Sequence, residues 1–140
     1  MVVAPHSLAV EEGVKVLRKG GNAVDAAVTT AFVQGVVGTT MCGIAGSGSM
    51  HVYLANLDEE KILNFHGKAG STVKPDMWED LLINENPSGY GYVLKDRVND
   101  IGYKSITTPN TLKALHEGLT RYGTIKWGEA IEPAIRYAKM

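Results

Sequence analysis

The sequence predicts an α+β fold made mostly of helices around a central β-hairpin. Apolar residues recur at helical spacing over residues 8–19, 111–122 and 127–139. Residues 23–37 are apolar nearly all round, as expected of a helix packed between other layers. At Met50 the period changes from helical to two, and two such runs flank a polar turn.

At the start of the chain, residues 1–3 are apolar and suit a short strand. Pro5-His6-Ser7 then turns the chain, with Ser7 the expected cap of the first helix. That helix, residues 8–19, sets Val10, Val14 and Leu17 on one face and Glu11, Glu12, Lys15 and Arg18 mostly on another. Gly20-Gly21 ends it, because glycine takes the left-handed conformation that closes a helix, and Arg18 and Lys19 suit the negative end of the dipole. Asn22 caps the second helix, residues 23–37. Its side-chain oxygen accepts from the free amides of the first turn, and Asp25 lies near the positive dipole end.

Residues 38–49 form a loop with Gly38, Gly43, Gly46 and Gly48 among small residues. In the first strand Met50, Val52 and Leu54 alternate with His51, Tyr53 and Ala55. Residues 56–60 turn, and residues 61–66 return as the second strand. A lone hairpin is only marginally stable and its edges need more strands beside them. The only further strand expected is a short one near residues 103–107.

Residues 75–82 predict a short helix and residues 84–91 a polar loop, in which Tyr90-Gly91-Tyr92 reads as a surface turn rather than an aromatic binding patch. The helix at residues 111–122 carries Leu112, Leu115 and Leu119 on one face, and Gly123 ends it. The last helix, residues 127–139, turns Ala130, Ile131, Ala134 and Ile135 inward, with Pro133 marking a break or kink. No repeat and no domain boundary is visible.

With 140 residues, 44% hydrophobic and a net charge of -1, the composition suits a folded domain and offers no electrostatic footprint for nucleic acid or an anionic membrane. One cysteine, Cys42, excludes an internal disulfide and fits a reducing compartment. No stretch of the chain resembles a secretory leader, which favours a cytoplasmic setting.

Three features invite a chemical reading. The glycine-rich loop follows a helix and enters a strand, the reverse of a dinucleotide fingerprint, and no Walker lysine follows it. His6, His51, His66 and His116 lack the spacing of a zinc site, so no metal or other cofactor is expected. Cys42 has no readable base beside it and reads as a small buried thiol rather than a nucleophile.

The stretch Leu17-Arg18-Lys19-Gly20-Gly21-Asn22-Ala23-Val24-Asp25-Ala26-Ala27-Val28 resembles the opening of the gamma-glutamyltranspeptidase family. The resemblance continues through Gly43-Ile44-Ala45-Gly46-Ser47-Gly48-Ser49-Met50, Pro75-Asp76-Met77-Trp78 and Tyr122-Gly123-Thr124-Ile125-Lys126-Trp127, and ends in Glu132-Pro133-Ala134-Ile135-Arg136-Tyr137-Ala138. It implies one partial domain, residues 1–140, from the N-terminal part of a large subunit. The implied architecture is a four-layer αββα N-terminal-nucleophile sandwich, two sheets between helical layers.

Family members cleave themselves and expose a threonine whose own amine serves as base for its hydroxyl. Thr29-Thr30, Thr39-Thr40 and Thr107-Thr108 lie inside segments that match the large subunit, so the resemblance places the nucleophile outside this chain. It implies two partners: a small amide or gamma-glutamyl substrate, and the small subunit or C-terminal remainder of the same precursor.

His66 stands where the family has an arginine that binds the substrate's alpha-carboxylate. Arginine offers a permanent charge and a planar fork, whereas a histidine nitrogen offers at most one donor. Lys68, two residues on, supplies a charge on the same side if the strand continues, which makes His66 and Lys68 the candidate substrate-binding residues. Asn110 replaces a usual glycine and tolerates a positive backbone angle. Gamma-glutamyl transfer or hydrolysis is the first reading. An acylase acting on a different small amide is the second, and a non-catalytic truncated product or interaction module is the third.

Overall fold

The computed structural model describes residues 1–40 and 42–140. Among these, four α-helices and two small antiparallel sheets form two compact units. Unit one is Met1–His66 with Pro109–Met140, and unit two is Gly67–Thr108, so the chain leaves the first unit and returns to it.

In unit one, helix α1 (Ser7–Arg18) and helix α2 (Ala23–Val37) meet at the Gly20-Gly21 corner, where Gly20 has φ +92°. That conformation suits glycine, and it lets the Gly20 and Gly21 amides donate back to Leu17 and Val16 carbonyls. Asn22 caps α2 as the sequence predicts. Its Oδ1 accepts from the Val24 and Asp25 amides, while Asp25 Oδ2 accepts from the Asn22 amide at 2.8 Å. The cap of α1 differs from expectation: His6 Nδ1 accepts from the Leu8 amide, and Ser7 is already helical.

Helix α2 is the hub. Val28 and Val33 are fully buried, and with Val24 and Phe32 they pack against Ala9 of α1 and Val52 of the hairpin. On the other helices they meet Leu115 and Leu119 of α3 (Thr111–Tyr122) and Ala130 and Ala134 of α4 (Trp127–Ala138). Each of the valine, leucine and phenylalanine side chains contributes roughly 1.5–3 kcal/mol when fully buried. Phe32 meets Trp127 edge to face, centroids 5.0 Å apart.

The inward faces are rotated from those expected. Helix α1 buries Ala9, Glu12 and Gly13, with Val10, Val14 and Leu17 only half-buried, because small residues allow close approach to α2. In α3 the buried row is Ala114, Leu115, Gly118 and Leu119, and Leu112 is exposed. In α4 Ile135 is exposed, while Pro133 is buried inside a helix that runs through it without a break. Residues 1–4 form no strand, having no paired neighbour among the described residues.

The hairpin of unit one pairs β1 (Ser49–Leu54) with β2 (Glu59–Asn64), so the second strand begins and ends two residues earlier than expected. A tight turn explains the shift. The Leu57 amide donates to the Leu54 carbonyl at 3.0 Å, and Asp58 takes φ 51°, which closes the loop in four residues. Cys42 is exposed, not buried, because the small residues around it supply no apolar cover.

Unit two corrects two expectations. Residues 75–82 hold only a single 3-10 turn, Glu79–Leu81, and the next residues enter strand β3 (Leu82–Glu85), which pairs with β4 (Tyr92–Leu94). The turn between these strands uses Asn86 and two glycines at positive φ, Gly89 and Gly91, so the polar loop at 84–91 is the tip of a hairpin. Tyr90 is fully out in solvent at that tip. The expected strand at 103–107 is instead a 3-10 turn, Tyr103–Ser105, closed by Ser105 Oγ donating to the Gly102 carbonyl at 2.7 Å.

Candidate functional site

Three segments of unit one converge beside the N-terminus of α3: the glycine-rich loop, the residues that leave β2, and the Pro109-Asn110 entry to the helix. The Phe65 amide donates to the Gly48 carbonyl at 2.9 Å, which carries the hairpin ladder one pair beyond β2. A Cβ on Gly48 would stand 3.2 Å from the Phe65 ring, so the absent side chain is what lets the loop lie against that ring.

Asn110 joins all three segments. Its amide donates to the Gly46 carbonyl at 3.3 Å and its Nδ2 to the His66 carbonyl at 3.2 Å. Its φ of -125° is an ordinary one, so the positive backbone angle expected there is not what the residue provides. The side-chain amide is used to hold His66, a contact across 44 residues that sequence spacing does not reveal.

His66 is held at both backbone ends: its carbonyl by Asn110 and its amide by Asn64 Oδ1 at 3.2 Å. The imidazole is exposed, and no ion pair reaches it among the described residues. A neutral imidazole so placed can donate one hydrogen bond and accept another, enough to orient a small polar group but not to grip a carboxylate bidentately.

Lys68 belongs to unit two. Its backbone forms an isolated antiparallel bridge with Thr108, whose amide donates to the Lys68 carbonyl at 2.9 Å, and its side chain is exposed. Strand β2 ends at Asn64, so strand alternation does not carry through His66 to Lys68.

The threonine pairs offer no exposed nucleophile in the helices. Thr29 and Thr30 are buried within α2, at 0% and 8% exposure. At the opposite end of unit one, two buried carboxylates that the sequence shows only as helix residues hold the scaffold. Asp25 is fully buried and accepts from Thr124 Oγ1 at 2.6 Å and from the Thr124 amide at 2.7 Å, besides capping its own helix. Burial raises its pKa, but hydrogen bonds from Thr124, Asn22 and Ile125 outweigh that and hold it below the ordinary carboxylate range.

Glu12, 4% exposed, accepts at Oε1 from Lys15 Nζ at 2.8 Å, Arg136 Nη2 at 2.9 Å and Tyr137 Oη at 3.2 Å. Burial again opposes ionisation, and these donors reverse it, leaving the pKa lowered.

A family model described as gamma-glutamyltranspeptidase matches residues 9–140. Over 139 residues, 99% of this chain, the sequence is 37% identical to the acylase ACY 1 proenzyme of Pseudomonas sp. (strain V22) and 37% identical to the glutathione hydrolase proenzyme of Bacillus subtilis (strain 168). The chain spans 24% and 22% of those relatives' length. The fold superposes on the crystal structure of Helicobacter pylori gamma-glutamyltranspeptidase with a TM-score of 0.81 and 34% identity, covering 96% of this chain and 36% of that one. These matches run from the first helix through the last, and on them the chain belongs to the gamma-glutamyltranspeptidase family.

Proposed function

We propose that this chain is the N-terminal part of the large subunit of a self-processing amide hydrolase or acyl transferase. The observation that carries the reading is the unbroken family match over residues 9–140 together with a length only a quarter of the relatives'. In the complete protein the β1–β2 hairpin joins a four-layer αββα sandwich.

The nucleophile is an N-terminal threonine in the remainder of the precursor. Its hydroxyl oxygen attacks the substrate's amide carbonyl while its own amine takes the proton. The amine product leaves with that proton, and water or an acceptor amine then releases the acyl group.

His66 orients the acyl part of the substrate. The relatives include both an acylase and glutathione hydrolases, and the histidine at the arginine position favours a small amide whose acyl group lacks the gamma-glutamyl alpha-carboxylate.

The test is kinetic, on the complete translated product. A panel of gamma-glutamyl and simple acyl anilides is compared for the parent, His66→Ala and His66→Arg. The expected result is a KM raised roughly tenfold on the preferred substrate in His66→Ala, with His66→Arg shifting preference toward gamma-glutamyl compounds. Unchanged kinetics in both variants would remove His66 from the site.

A further inference from the structure

We propose that Asn110 is a positioning residue for substrate binding: from the start of α3 it holds His66 and the glycine-rich loop together and so fixes where the imidazole meets the acyl group. This rests on the reading that His66 orients that group. Asn110 occupies the cap position of α3. Asparagine is among the strongest capping residues there, because its side-chain oxygen accepts from the first-turn amides. Asn22 does this for α2, with extended backbone at ψ -178° and Oδ1 accepting from the Val24 and Asp25 amides.

Asn110 behaves differently. Its ψ is -1°, its side chain makes no capping bond to its own helix, and its Nδ2 donates to the His66 carbonyl, 44 residues away. A carbonyl oxygen can only accept, so the nitrogen end of the side-chain amide is the end that must face it. A local preference is given up for a distant contact, the pattern expected where function overrides local stability.

His66 needs such an anchor. Strand β2 ends at Asn64, and the last bond of the ladder joins the Phe65 amide to the Gly48 carbonyl. The bond from the His66 amide to Asn64 Oδ1 spans two residues of the same segment, so it shapes the turn without tying it to another element. Asn110 supplies that tie from a rigid place. Helix α3 is packed into the core through Leu115 and Leu119, and the Ala114 amide donates to the Asn110 carbonyl at 3.0 Å, which fixes the residue in the first turn. The Asn110 amide also donates to the Gly46 carbonyl, so the loop and His66 are held by one residue. With both backbone groups of His66 engaged, the exposed imidazole is what it presents to a substrate. One fixed imidazole suits an acyl chain carrying a single uncharged polar atom at a set distance from the scissile carbonyl.

The experiment is steady-state kinetics on the complete translated product with the preferred acyl anilide, alongside urea midpoints. Asn110→Ser keeps a capping residue and loses the reach to His66, whereas Asn110→Gln keeps the amide donor and is a poor cap. Asn110→Ser should raise KM roughly three- to tenfold with kcat within about twofold and an unchanged midpoint, and Asn110→Gln should retain most of the parent KM. In a His66→Ala background, Asn110→Ser should change KM by less than about twofold, because the group it positions is gone. An equal rise in KM with and without the imidazole overturns the proposal, since Asn110 then acts on the loop alone. A parent-like KM in Asn110→Ser beside a raised KM in His66→Ala overturns it too and leaves the role of His66 standing. Parent kinetics in His66→Ala, or a parent that hydrolyses no amide, sinks the reading of the site itself and the positioning role with it.

Discussion

Asp25 and Thr124 lie 99 residues apart, yet both the hydroxyl and the amide of Thr124 donate to the Asp25 carboxylate, at 2.6 and 2.7 Å. The contact ties the start of α2 to the turn between α3 and α4. Because Asp25 also accepts from the Asn22 amide, one carboxylate serves as helix cap and interhelical clasp.

Asp25→Asn should destabilise the complete product by about 2–4 kcal/mol, since an amide turns a donor toward backbone amides that need an acceptor in a fully buried site. Thr124→Val, which keeps the backbone contact, should lose less. Urea denaturation of both variants checks the order.

Acid should weaken the fold through the same groups. Asp25 and Glu12 both have folded pKa values below their ordinary ones, so the unfolded state binds protons first. Their stabilisation is complete above about pH 5 and is lost as pH falls below about 4 toward the lowered folded values. Denaturation midpoints between pH 3 and 7 should fall on the acid side, and Asp25→Asn should flatten that slope.

Gly13→Ala tests the approach of α1 to α2. An added Cβ would collide with Thr30 Oγ1 and stand 3.3 Å from the Ala26 carbonyl. The helical gain of about 1 kcal/mol is outweighed by overpacking of about 1–3 kcal/mol, so the variant should be less stable. Adding Thr30→Ala removes the colliding hydroxyl, which has no hydrogen-bond partner among the described residues, and should restore most of the loss. A double-mutant cycle in urea reads the coupling.

Glu12 is held by donors from two places. Lys15 lies one turn along the same helix, whereas Arg136 reaches from α4. Arg136→Ala should lower the melting temperature more than Lys15→Ala, because only the former unties one helix from another. Calorimetry of the pair decides; equal shifts would show that the interhelical contact contributes nothing.

Local chemistry made much of this protein legible. The Gly20-Gly21 corner, the Asn22 cap with its Asp25 partner, the apolar α2 and the alternation of β1 each depend on residues within a turn or two of one another. The elements they define are where the sequence places them. The family motifs were legible for the same reason, being short runs in a fixed order.

Tertiary structure decided the rest, because it depends on which distant groups find each other. Periodicity put Glu12 on a polar face, but Arg136 and Tyr137, more than 120 residues on, supply donors that make its burial affordable. Asn110 looked like a glycine substitute tolerating a strained angle, until its amide was found on the His66 carbonyl. The strand β3 was hidden because Leu82 and Ile83 stay exposed, so neither alternation nor a buried run marks it, and only pairing with β4 does. A helix cap or tight turn is written in adjacent residues. A buried carboxylate is stable only after the fold has brought its donors to it.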